Sequence, residues 1–161
     1  MELSISHRWL VLAVCLAAGL PLPARADEAT QQYNAASGFF RMNRFDFAAD
    51  EYEKFLKDFP KHELAPDALY FLAESYYQIN RVEDARGRFR EVATKHATSK
   101  NHAYALYRLG ETSQMLGDHA AAEAALSDFV AKRPADPLIE FALPKLGGAQ
   151  IGLGKWKDAT K

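Results

Sequence analysis

Cysteine is nearly absent from this chain. Cys15 is the single one in 161 residues, so no internal disulfide can form, and no Cys/His spacing suggests a zinc site. Charge of one sign is not in excess either, at a formal net −1. Nucleic-acid binders normally carry a basic excess or stripe, so no nucleic-acid partner is expected. No apolar run is long enough to span a bilayer. The apolar run Trp9 to Leu20 falls short of the ~20 residues a spanning helix needs. Runs that alternate apolar and polar residues, the mark of half-buried strands, are missing as well. What remains is 48% apolar and 25% charged, an ordinary composition at a length that suits one domain.

The start of the chain reads as an address. A polar stretch with the fixed positive charge of Arg8 leads into the apolar run, which ends in Pro21, Leu22, Pro23 and the triplet Ala24-Arg25-Ala26. A positive start, a short apolar centre and a small-x-small exit describe a secretory signal peptide. Residues 1–26 are expected to be removed, leaving 27–161 as the mature domain. Export to a periplasmic or envelope location follows. No lipid anchor is expected, because Val14 precedes Cys15 and only five apolar residues come before that valine. The mature chain then has no cysteine, and its stability must come from packing.

Sliding the sequence against itself gives one clear offset, 37 residues. Ala48, Ala85, Ala122 and Ala159 fall in step, as do Tyr33, Tyr70 and Tyr107. So do Leu69, Leu106 and Leu143, and Leu72, Leu109 and Leu146. Each unit reads as two helices. Leu69, Leu72, Ala73 and Tyr76 keep the i, i+3, i+4, i+7 spacing of one apolar face, and Ala85, Phe89 and Val92 do the same in the second helix. Asn80 and Gly117 stand where first helices must stop, both being types that tolerate the left-handed conformation. Asp46, Glu83, Asp84 and Asp118 stand at second-helix starts, matching the helix dipole. The recurring alanine sits just after a tight turn, where two helix backbones approach most closely.

These residues resemble the tetratricopeptide repeat. Its small positions are met by Ala36, Ala73, Gly110 and Gly147 and by the alanine column, its aromatic positions by Phe39 and Tyr76, and its closing proline by Pro60 and Pro134. The resemblance implies an all-α, right-handed solenoid, with units at about 29–60, 63–97, 102–134 and 137–161, the last truncated. The usual period is 34, so the three extra residues are expected between helix pairs. Ala97 stands in for one proline. Ser113 and Gln150 stand in for aromatics, so units three and four are expected to pack more loosely. The stretched unit with Asp-Phe-Pro before the break is similar to repeats of bacterial envelope proteins, the Tol–Pal-associated division coordinator and the outer-membrane barrel-assembly lipoprotein. An outer-membrane assembly or Tol–Pal setting is the corresponding expectation.

The resemblance also implies a binding surface, since first helices line the concave side of such solenoids. On that pattern Tyr33, Tyr70 and Tyr107 face the groove once per unit. Ser37, Glu74 and Glu111 follow one turn on, then Phe40, Tyr77 and Gln114. This is an aromatic ladder edged with acids, suited to a protein or peptide segment. The same tyrosines could instead fill the seams between helix pairs. The Lys and Asn of the family's carboxylate clamp are missing from these positions, so capture of a C-terminal carboxylate by that route is not expected. No nucleophile–base arrangement is visible, and His62, His96, His102 and His119 are scattered over turns and helix starts. The Gly147-Gly148 stretch lacks the strand and the Lys-Ser/Thr pair of a phosphate loop. The expectation is a non-catalytic interaction scaffold without cofactor or metal. The alternative is a structural adaptor, or the N-terminal part of a longer repeat protein, whose groove its own chain fills. Unit four ends just after Ala159, and Pro144, Gly147 and Gly148 weaken its first helix. Its uncapped face is expected to be covered by further chain, a partner or a second copy.

Overall fold

The computed structural model describes residues 22–157 and Ala159. The apolar run of the expected leader lies outside them. Among the described residues there are seven helices and no strand: α1 (Leu22–Arg41), α2 (Phe45–Asp58), α3 (Ala65–Gln78), α4 (Val82–Lys95), α5 (His102–Met115), α6 (His119–Lys132) and α7 (Ile139–Gly152). Second helices open at Phe45, Val82 and His119, and first helices after unit one open at Ala65, His102 and Ile139. The 37-residue period is therefore kept residue for residue. None of these helices is long and apolar enough to cross a membrane.

Unit one departs from its expected start. Its first helix begins at Leu22 rather than near residue 29 and runs through the expected processing position. Pro23 lies in its first turn, where a missing N–H costs nothing. Pro144 lies inside α7 without ending the helix, although it removes one ladder bond.

The turns within units follow from their residues. Asn43, Asn80, Gly117 and Gly154 have φ of 55°, 61°, 73° and 74°, the left-handed conformation that Asn and Gly adopt at least cost. The chain then reverses into the next helix. Asp118 caps α6, its carboxylate accepting from the Ala121 N–H at 3.1 Å.

The turns between units explain the longer period. In each, one side chain accepts from the backbone N–H two residues on. His62 Nδ1 accepts from Leu64 N at 3.2 Å, Ser99 Oγ from Asn101 N at 3.2 Å, and Asp136 Oδ1 from Leu138 N at 3.0 Å. These three residues form a column of their own. The extra residues are thus an ordered turn held by a local acceptor, and this is the place of His62.

Every helix packs on its chain neighbours, first and second helices alternating along a solenoid. Ala48, Ala85 and Ala122 are fully buried, as are Ala36 and Ala73. At Gly110 a Cβ would fall 2.4 Å from Leu126 Cγ, so the absent side chain is what seats Leu126. Unit three is consequently as closed as unit two, contrary to the looser packing expected from Ser113. Ser113, Leu126 and Phe129 are all fully buried, Leu126 taking up the room. Unit four does differ. Leu69 and Leu106 are each 5% exposed, while Leu143 in the same column is 49% exposed.

Candidate functional site

The nine groove residues of the sequence reading lie on first helices α1, α3 and α5, and the second helices behind them decide how much each one offers. Tyr33 meets Tyr52 and Phe55 of α2 edge-on, with ring centroids 5.9 and 5.8 Å apart. Tyr70 meets Phe89 of α4 at 5.8 Å, and Tyr107 meets Phe129 of α6 at 5.6 Å. Each tyrosine is thus wedged against the second helix of its own unit. Tyr33 and Tyr70 are half-buried and Tyr107 is buried. The ladder is a seam as well as a surface. Burial pushes the Tyr70 phenol up, and the neighbouring Glu74 carboxylate adds to it. Tyr77 and Tyr107 are raised for the same first reason, with Glu111 as the nearby acid. All three stay neutral hydroxyls, able to donate.

In unit one the other two positions are built into the core. Ser37 Oγ lies 3.0 Å from the Tyr52 hydroxyl. Phe40 sits between Phe45 and Phe71, at 5.3 and 5.2 Å between centroids. Phe71 also stacks on Tyr52 at 6.2 Å. The seam between units one and two is therefore a block of rings.

From unit two onward the same surface is a chain of charges. Arg108 of α5 grips Glu74 of α3 with two bonds, Nε to Oε1 at 2.7 Å and Nη2 to Oε2 at 3.1 Å. Its Nη1 donates to Glu111 at 2.7 Å. The other Glu111 oxygen pairs with Lys145 of α7 at 3.0 Å. The Arg108 guanidinium lies 4.7 Å over the Tyr77 ring, and Gln114 donates to the Lys145 carbonyl at 3.3 Å. Burial alone would raise the Glu111 carboxyl. Hydrogen bonds from Arg108 and Lys145 outweigh it and hold the group below the ordinary carboxylate range. Arg108 is raised, burial opposing and the two acids prevailing.

This chain changes the meaning of the acidic edge. Glu74 and Glu111 are not offered to a ligand, because their oxygens are used inside the solenoid. Their side chains are 8% and 12% exposed, against 26% and 30% for Arg108 and Lys145. The sequence reading missed both bases. They occupy one column with Asn34 and Phe71, so no single residue type recurs along it and the column itself gives no signal. A search at an offset of 34 would have found them, since Glu74 to Arg108 and Glu111 to Lys145 repeat one acid-to-base step.

The remaining polar groups have structural places. His102 Nε2 lies 3.1 Å from the Ala93 carbonyl. The His119 ring fills the space where a Cβ on Gly152 would fall 2.6 Å away. On the second-helix side, Arg86 pairs with Asp118 at 3.2 Å and Glu123 with Lys155 at 2.6 Å. These are the same two columns with the charges exchanged. A cleft between α2 and α4 is bordered by Asp50, Glu53, Lys54, Lys57 and Arg88, both signs together.

The family model for the tetratricopeptide repeat matches residues 33–100 and 75–137. No curated protein matches the sequence. Among solved structures the chain is similar to MamA, at 19% identity and a TM-score of 0.69, covering 86% of this chain and 71% of that one. It is similar to BtubC (BKLC) from P. vanneervenii, at 21% identity and 0.66, covering 82% and 59%. It is also similar to the first TPR of Spaghetti (RPAP3) bound to an HSP90 peptide, at 17% identity and 0.65, covering 80% and 95%.

Proposed function

Because the chain belongs to the tetratricopeptide repeat family, we propose that it is a non-catalytic scaffold that binds a protein or peptide segment along the inner surface of its first helices. The observation that carries this reading is the recurrence of Tyr33, Tyr70 and Tyr107 in one column of the first helices, the first two only half-buried and each braced from behind by an aromatic ring. A braced ring loses little torsional freedom when a ligand settles on it, which is why tyrosine is favoured at binding surfaces. A structural neighbour solved with a peptide bound supports the same reading. The missing clamp residues and the internally used acids argue for recognition by aromatic contact and hydrogen bonding rather than by a terminal carboxylate.

The setting belongs to the same proposal. The leader-like start supports export, and the stretched repeat supports a bacterial envelope role of the Tol–Pal or outer-membrane assembly kind. Mass spectrometry of exported protein should find Asp27 at the N-terminus. A species carrying lipid on Cys15 would contradict it. For the groove, a partner captured from envelope extract should be lost from the Tyr70→Ala chain at temperatures where that chain is still folded, although the lost contact with Phe89 lowers its melting temperature. Truncated hot-spot tyrosines cost ~2 kcal/mol or more of binding. Intact capture with a large fall in melting temperature would make Tyr70 a seam residue only.

A further inference from the structure

Between α3 and α5 the inner surface gathers four tyrosines around one guanidinium. Tyr70 and Tyr77 come from α3, and Tyr107 comes from α5, one period after Tyr70. The fourth is Tyr104, which stands outside the ladder in the column of Asp67. Its i, i+3, i+4 spacing to Tyr107 and Arg108 puts all three on one face of α5. Burial is the main reason that the Tyr70 phenol is raised, and the Tyr104 hydroxyl is close enough to add to it. Tyr77 stands in the same relation to Tyr107. The Arg108 guanidinium lies 4.7 Å over the Tyr77 ring. Tyr70, Tyr77 and Tyr104 are half-buried, so part of each ring is open, while Tyr107 is buried.

This cluster offers a ligand donors and ring faces. The Tyr104 ring meets the Arg133 guanidinium at 5.8 Å, and its hydroxyl has no hydrogen-bond partner among the described residues. Each terminal nitrogen of Arg108 gives one N–H to a carboxylate and keeps a second. The strong acceptors, by contrast, are taken. The acids on these columns in units two and three are Asp67, Glu74 and Glu111. Asp67 accepts from Lys100 at 2.6 Å and from Asn101 at 3.0 Å, and the other two hold Arg108 and Lys145. Their side chains are 13%, 8% and 12% exposed. Exposed Glu140 belongs to unit four and to the column of Pro66 and Ala103, outside this set.

Extended segments of different composition fit such a face differently. A carboxylate brought to the free N–H groups of Arg108 also meets Glu74 and Glu111, which repel it. An ordinary strand carries as many N–H donors as carbonyls. Those of its N–H groups that face the surface find the acceptors occupied, which is costly once water is excluded. A proline has a carbonyl and no N–H. A proline-rich segment also holds the polyproline conformation before it binds and packs its rings against aromatic faces. Resting on the groove reading above, we propose that the tyrosine cluster of units two and three docks a proline-rich segment in the polyproline conformation. Proline rings lie on Tyr70, Tyr77 and Tyr104, and backbone carbonyls accept from the Tyr104 hydroxyl and the free Arg108 N–H groups. The segment brings no charge, so affinity is nearly independent of salt.

The test is selection of a random dodecapeptide phage library on the full 161-residue chain, followed by titration of enriched peptides synthesised with blocked ends. The expected result is enrichment of uncharged peptides with several prolines. Tyr104→Ala should weaken their binding about tenfold, as hot-spot truncations do. Tyr104→Phe, which keeps the ring and removes only the donor, should weaken it about threefold. Raising sodium chloride from 50 to 500 mM should change it less than about twofold. Circular dichroism melts check that both variants are folded. Peptides without proline that depend on Tyr70 would overturn the proline proposal and leave the groove reading standing. Acidic peptides that depend on Tyr70 and lose affinity in salt would do the same, as would proline-rich peptides weakened by Tyr70→Ala but indifferent to both Tyr104 variants. Peptides indifferent to Tyr70→Ala and Tyr104→Ala alike, or no enrichment at all, would overturn both.

Discussion

Units one and two meet through rings, whereas units two, three and four meet through ions, at corresponding positions on the first helices. Phe71 of α3 packs on Phe40 and Tyr52, while Arg108 and Lys145, one and two periods later, reach back to Glu74 and Glu111. The backbone geometry is the same, since the helices keep their 37-residue spacing. The difference teaches that the repeat specifies where two units touch and leaves the chemistry of the touch free. The ring seam stabilises through buried area and needs no matched partner. The ion seam needs both partners, because one buried charge without the other is far more costly than either pair. It also uses up the acids that would otherwise face a ligand in the proposed groove.

The largest expected effect lies in the ring seam. Phe71→Ala should destabilise the chain by roughly 2–4 kcal/mol, somewhat below the range of about 3–5 kcal/mol for a fully buried phenylalanine because Phe71 is only partly buried. Urea unfolding measures it, and a change below about 1 kcal/mol would mean that the rings are ornamental. Arg108→Ala should cost roughly 2–3 kcal/mol, less than a fully buried pair because the guanidinium is partly in water. Unlike Phe71→Ala, it should be partly rescued by Glu74→Gln, which removes the stranded charge. Smaller again is the pH effect at Glu111. Its carboxyl is held below the ordinary range in the folded chain, so its contribution is present above the unfolded value of about 4.3 and fades as pH falls through the folded one. Glu111→Gln should therefore be less stable than the parent at pH 7, by roughly 1–2 kcal/mol. The two chains should converge in melting temperature as the pH drops below about 4. A gap that persists at low pH would assign Glu111 a role other than its charge. The smallest effect belongs to the partly exposed pair Arg86 and Asp118, where Arg86→Ala, which leaves the Asp118 cap of α6 in place, should cost under about 1 kcal/mol.

The fold was legible because its signals are local and repeated. The alanine column, the Asn and Gly at first-helix ends and the acids at second-helix starts each act within one turn of chain, and each is found where the sequence places it. The early start of α1 was not legible, since a leader and a helix both favour alanine and leucine. Nor was the closure of unit three, where Gly110 makes room for Leu126 across the interface. That compensation is a relation between two positions, and no single column displays it. The candidate groove was half legible. Its tyrosines announce themselves by period, but whether a tyrosine faces solvent or a second helix depends on Phe89 and Phe129, which the period alone does not orient. Arg108 and Lys145 were hidden because contacts between units recur at 34, inside a sequence that repeats at 37.

The central claim is that the charges along the inner surface are spent on joining the units. A double-mutant cycle on Glu74→Gln and Arg108→Met, read by urea unfolding, tests it most directly. The account predicts that the two changes together cost less than the sum of each alone, by roughly 1–3 kcal/mol, as for residues in one buried network. Strict additivity, with a coupling within about 0.3 kcal/mol of zero, would show that Arg108 does not join unit three to unit two and that Glu74 is free to meet a ligand.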